Sequence, residues 1–175
     1  EATELLKKLE LTFEQTGKLR VIKDGVLSPT PVIDLATAMR PVNAAEIAPG
    51  SYGEGGFLSM VFDPNFATTK RVWLSYTTPG PSYTLAEFKM DNPDSIDAGT
   101  FKEVFNFKQY PFLFGDATNH VGSMVAFGPD GCLYISRGDG GGENDRQMSG
   151  QNTKDDLCSI LRIDPDTYPT PAPGN

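Results

Sequence analysis

Scarcity bounds this 175-residue chain before any motif does. One histidine, His120, and two cysteines, Cys132 and Cys158, leave no Cys/His metal-binding spacing to assemble. Basic side chains are outnumbered, 15 Lys and Arg against 23 Asp and Glu, and the net charge of −8 argues against nucleic acid or an anionic membrane as the main partner. No apolar run approaches the roughly 20 residues that span a bilayer. No signal peptide is visible, so the N-terminus is expected to be a mature or trimmed end. A Gly-x-x-x-x-Gly-Lys-Ser/Thr phosphate loop is absent. Asp139, Glu143, Asn144 and Asp145 lie around Gly140 to Gly142 but do not fit the EF-hand spacing. They read as a hydrated acidic loop, and no metal site is expected.

What is plentiful is punctuation: 18 Gly and 14 Pro favour a turn-rich β protein. Ala2, Leu5, Leu6 and Leu9 share one helical face, so residues 1–10 are expected to form a short amphipathic helix packed on a sheet edge. Strand signals then follow at 11–14, 19–22, 31–35, 57–62, 72–77, 83–90, 101–107, 124–127, 132–136 and 160–163. Residues 36–52 and 114–121 read as loops, and the tail, 167–175, contains three prolines and has no core of its own. Cys132 and Cys158 fall near opposite ends of paired strands, beyond the Cα separation of ~7 Å that a disulfide tolerates, and are expected as buried free thiols.

The informative stretch is 119–140. Met124 to Phe127 is one apolar strand, Gly128-Pro129-Asp130-Gly131 its turn, and Cys132 to Ser136 the return. A hairpin brings its open ends together, so His120 and Asp139 are expected on one rim with the turn at the other. An imidazole is the side chain best suited to move protons near neutral pH; the alternative is a histidine hydrogen-bonded in a loop. An earlier segment, Ser59-Met60-Val61-Phe62-Asp63-Pro64 with Val72-Trp73-Leu74-Ser75-Tyr76, echoes this hairpin. Repeated antiparallel hairpins at such spacing suggest radially repeated sheets, a β-propeller, against the alternative of two unrelated hairpins in a sandwich.

Asn119-His120-x-Gly122, Phe127-Gly128-Pro129-Asp130-Gly131, Gly138-Asp139-Gly140-Gly141 and Ile160-Leu161-Arg162-Ile163-Asp164 occur in this order. They follow Gly53-Glu54-x-Gly56-Phe57-Leu58-Ser59 and Phe62-Asp63-Pro64-Asn65-Phe66. Over residues 11–175 the set resembles the glucose/sorbosone dehydrogenase family, sugar dehydrogenases dependent on pyrroloquinoline quinone (PQQ) that include Hedgehog-interacting-protein-like propellers. The resemblance implies an all-β fold of four-stranded antiparallel blades, here a partial ring of about two to three of six blades. It would comprise the helical segment 1–10, the propeller part 11–166 and the tail 167–175.

The same resemblance implies that His120 takes the proton from a sugar's anomeric hydroxyl before hydride passes to the quinone. Asn119, where some members carry Asp, would orient the imidazole. Glu54 matches a Gln or Glu position on the rim of the well, the alternative being a surface glutamate in a Gly-rich turn. Arg137 is a candidate for contact with a cofactor carboxylate, or else a solvated arginine. Asp139 reads as a turn cap. Gln147 and Gln151 belong to a loop overhanging the well. Departures exist: Cys158-Ser159 stands where Gly-Lys is usual, and His120-Val121-Gly122-Ser123 where His-x-Gly-Gly is.

PQQ and calcium are the implied cofactors. The family's quinone-clamping cations and calcium ligands correspond to blades beyond Asn175, so tight binding by this chain alone is not expected. The implied function is the N-terminal portion of a sugar dehydrogenase oxidising an aldose. The alternative is a non-catalytic secreted binding or assembly module. Expected partners are a sugar or glycan, and the remaining blades or other chains covering exposed strand edges. The expected location is extracellular or periplasmic.

Overall fold

Period-2 alternation and frequent turns build three antiparallel sheets in the computed structural model, which describes residues 9–39, 53–78, 82–108, 119–145 and 148–174. Strands β1 (Leu9–Glu14) and β2 (Lys18–Lys23) pair about the turn at 15–17, with Glu14 opposite Lys18. The place beside β2 is shared by two fragments, β3 (Val26–Leu27) and β4 (Ile33–Asp34). The expected strand at 31–35 is thus cut short. Asp34 instead caps a single helical turn, α1 (Leu35–Ala38), by accepting the Thr37 N–H at 3.3 Å. Residues 1–8 of the expected N-terminal helix lie outside the described residues, and Leu9 and Glu10 belong to β1.

The second sheet is an up-and-down run of β5 (Phe57–Phe62), β6 (Arg71–Thr78), β7 (Ser82–Asn92) and β8 (Ser95–Lys108). A one-turn helix, α2 (Phe66–Thr69), sits in the β5–β6 connection. There the Asp63 carboxylate accepts the Asn65 N–H at 2.7 Å and Arg71 Nε at 2.8 Å, closing the turn. The third sheet takes β9 (Gly122–Phe127), β10 (Leu133–Arg137) and β11 (Ile160–Ile163) in that order.

Alternation on β6 and β7 explains the packing. Val72, Leu74, Tyr76, Ala86 and Phe88 face the first sheet and share a core with Leu19, Val21, Ile33 and Leu35. Trp73, Tyr83 and Leu85 point the other way, against Val121, Val125, Leu133, Ile135 and Ile163 of the third sheet. With both faces covered, β6 is buried from Val72 to Thr78, and each enclosed aromatic contributes roughly 2–3 kcal/mol of burial. The leading strands stand side by side. Phe13 of β1 meets the Phe57 ring of β5 edge-on at 5.1 Å, and the Val125 N–H of β9 reaches Ser59 Oγ of β5 at 3.3 Å. Successive sheets stacked face to face with adjacent leading strands are the blades of a partial β-propeller. The two echoed hairpins, β5–β6 and β9–β10, each lead their sheet.

One expectation is corrected, and one is extended. Cys132 is buried but Cys158 is exposed, and both thiols are free. The tail has no core of its own yet is docked: Tyr168 packs edge-on against Phe105 at 5.8 Å, Ala172 is buried, and Arg162 Nη1 donates to the Pro173 carbonyl at 3.0 Å.

Candidate functional site

The open end of the β9–β10 hairpin carries the sole histidine, and its backbone is held from both sides. His120 has φ +53°, in the left-handed region that side chains other than glycine's rarely adopt. Its N–H donates to Glu54 Oε2 at 2.6 Å, and its carbonyl accepts the Gly140 N–H at 3.3 Å. Gly138 passes so close that a Cβ there would fall 1.7 Å from the His120 carbonyl oxygen, so only glycine fits.

This clamp presents the imidazole to Asp139, Nδ1 to Oδ1 at 2.8 Å, and joins the two residues that hairpin topology was expected to bring to one rim. The same Oδ1 accepts the Gly141 N–H at 2.9 Å, so Asp139 caps its turn and holds the histidine together. A carboxylate can only accept, so Nδ1 carries the hydrogen and the Nε2 lone pair is left as the base. His120 is exposed while Asp139 is largely enclosed, which supplies an accessible base with a sheltered counter-charge.

The other candidates divide. Glu54 stands on this rim, exposed, with one oxygen committed to the His120 backbone. Asn119 is adjacent in sequence but does not orient the ring. Its amide oxygen accepts the Gly142 N–H at 3.2 Å, pinning the glycine loop while Asp139 occupies Nδ1. Arg137 is not solvated and not on the rim. Its side chain is fully enclosed, with the guanidinium 4.9 Å from the Tyr83 ring and 5.2 Å from that of Phe107, and burial lowers its pKa. Gln151 is exposed, and Gln147 lies outside the described residues.

Sequence reading missed Gln15, which lies between the strand signals at 11–14 and 19–22. Its Nε2 donates to the carbonyls of Gly53 and Gly55, both at 2.8 Å, and its own carbonyl accepts the Phe57 N–H at 3.1 Å. No local signal marks a glutamine in a turn as the support of a loop 38 residues away.

A family profile described as Glucose / Sorbosone dehydrogenase matches residues 3–174. The chain belongs to the glucose/sorbosone dehydrogenase family. Among relatives, an uncharacterized protein of Synechocystis is 30% identical over 174 residues, covering 93% of this chain and 40% of its own length. Hedgehog-interacting protein of Homo sapiens is 33% identical over 173 residues, covering 89% of this chain and 22% of its own. Among solved structures, the PQQ-bound form of aldose sugar dehydrogenase from Streptomyces coelicolor superposes with a TM-score of 0.69 at 23% identity, over 95% of this chain and 44% of that one. The chain therefore spans less than half the length of these relatives, and at that identity the superposition shows a shared fold. The family holds both sugar dehydrogenases and Hedgehog-interacting-protein-like members.

The described rim by itself does not fit a triply carboxylated quinone. Glu54 and Asp139 are its charged side chains beside His120, while Arg137 is sealed in the core. Among the described residues no cluster of three or more His, Cys, Asp or Glu could hold a metal ion.

Proposed function

We propose that this chain supplies the proton-accepting rim of a sugar dehydrogenase-type propeller acting on an aldose. The observation that carries the reading is the His120–Asp139 pair, 2.8 Å apart, which commits Nδ1 and leaves Nε2 without a hydrogen-bond partner among the described residues. A sugar hydroxyl donating to Nε2 loses its proton to that nitrogen when a two-electron acceptor held outside this rim takes the hydride from the carbon bearing that hydroxyl. The imidazolium then formed faces the Asp139 carboxylate, which stabilises it. Glu54, with a second oxygen uncommitted to His120, would accept a neighbouring hydroxyl and orient the ring. PQQ, which is bound in the Streptomyces coelicolor structure, would need cations from outside the described rim. So would calcium need ligands beyond it.

The acidic rim favours a second reading, a non-catalytic module binding a sugar or glycan. In both readings the remaining blades or other chains cover the outer sheet faces, and the location is extracellular or periplasmic. No helix among the described residues is long and apolar enough to cross a membrane.

The full-length protein is titrated with PQQ and calcium, then given aldoses and a dye acceptor. Dye reduction is expected, abolished in His120→Ala and lowered roughly 10²–10⁴-fold in kcat, with KM little changed, in Asp139→Asn. Quinone that fails to bind the complete protein sinks the dehydrogenase reading and leaves the binding module.

A further inference from the structure

We infer that Gln15 is a positioning residue for His120, acting through Glu54 across three sheets. The turn after β1 sends the Gln15 amide over the rim loop of the second sheet, where Nε2 holds the Gly53 and Gly55 carbonyls at 2.8 Å each. Those two carbonyls flank Glu54. The loop lies hard against the turn: a Cβ on Gly56, whose φ is +124°, would lie 2.2 Å from the Gln15 carbonyl oxygen. The Phe57 N–H adds a second tie to the turn, at the Gln15 backbone carbonyl 3.1 Å away, and on the other side the Gly56 N–H donates to Thr77 Oγ1 at 2.7 Å.

A carboxylate fixed at its Cα in this way delivers Oε2 to the His120 N–H at 2.6 Å. That contact helps hold residue 120 at a positive φ, where a histidine needs outside support. Relaxed to an ordinary φ, the backbone would swing the imidazole off Asp139 and free its tautomer. The relay thus runs from the first sheet, through the rim loop of the second, to the base on the third. It rests on the reading of Nε2 as proton acceptor, but its test does not need turnover.

His120 is the only histidine and Trp73 the only tryptophan of this chain, so each gives an unassisted signal in it. In the wild type, imidazole ¹⁵N shifts should report a single Nδ1–H tautomer. Gln15→Met keeps the side-chain length and the backbone carbonyl while removing both N–H donors. It should give mixed tautomers and speed exchange of the His120 amide about tenfold or more, with Trp73 emission and the β6 amides unchanged. Gln15→Arg, which restores donors, should return both signals toward wild type. A wild-type tautomer and amide in Gln15→Met overturns the proposal. Equal acceleration across β6 overturns it too, since Gln15 would then only pack the sheets. If the relay holds and the full-length protein still reduces no dye, the dehydrogenase reading alone has failed.

Discussion

Arg137 brings five N–H donors into the core, and among the described residues none of its three nitrogens makes a hydrogen bond. What holds it is two aromatic faces and one carboxylate, Asp156 Oδ2 at 3.3 Å from Nη2. Guanidinium tolerates this better than ammonium would, being planar and weakly hydrated. The desolvation of a buried cation nevertheless offsets most of its attraction to a half-exposed partner. In urea unfolding, Arg137→Met should therefore fall within about 1 kcal/mol of wild type or exceed it, whereas Asp156→Ala, which strands the cation, should lose roughly 2–3 kcal/mol. The sequence held a clue to this burial. Leu133, Ile135 and Arg137 are i, i+2 and i+4 on one strand, and all three are buried on one face. Both readings of Arg137, cofactor contact and solvated side chain, ignored that pleat. His120 and Asp139 were legible for the opposite reason, because hairpin closure alone brings them together. Asn119 was not: whether an amide meets a ring nitrogen or a glycine N–H depends on loop torsions that no spacing encodes.

Hairpins were also the legible elements, and their far ends show why. At the β9–β10 turn, Asp130 accepts the Cys132 N–H at 3.1 Å, the Tyr134 hydroxyl at 2.9 Å and Arg162 Nε at 2.9 Å, fastening the turn to β11. The Arg162 guanidinium, with those hydrogen bonds, holds the Asp130 carboxyl at about 2, below its ordinary 3.8. A depressed folded-state pKa contributes stability that is present above the unfolded value and lost as pH falls through the folded one. The turn clasp should therefore weaken between about pH 4 and pH 2. Asp130→Asn should remove that part of the acid dependence, read from denaturation midpoints across the window; an unchanged slope would refute the clasp. The elements that escaped sequence reading are those set by a neighbour. β3 and β4 share one edge because the chain leaves β2 and returns. β8 runs on to Ser95 at its start because the β7 edge was there to pair with.

At the scale of the whole molecule, the sheets are not equivalent. The second is covered on both faces, so Trp73, Leu74, Tyr76, Tyr83 and Leu85 are all fully enclosed. Among the described residues, the first and third are each covered on one. On the third, Val125 and Ile135 turn inward while Met124 and Ile160 stand exposed at 71% and 72%; on the first, Val26 and Leu27 are open to solvent. Opening an end sheet exposes one core, whereas opening the middle sheet exposes two, so local stability should rise toward the centre. Native-state hydrogen exchange in low denaturant should find the β6 and β7 amides exchanging only with global unfolding, those of β2 and β10 through smaller openings, and those of β3 fastest. In the full-length protein, further blades packed on Met124 and Ile160 would convert the third sheet into a second middle sheet, and its amides should then rise to the protection of β6. Equal protection of β2, β6 and β10 in this chain would mean that the three sheets open as one unit. The outer faces would then contribute nothing to how the ring holds together.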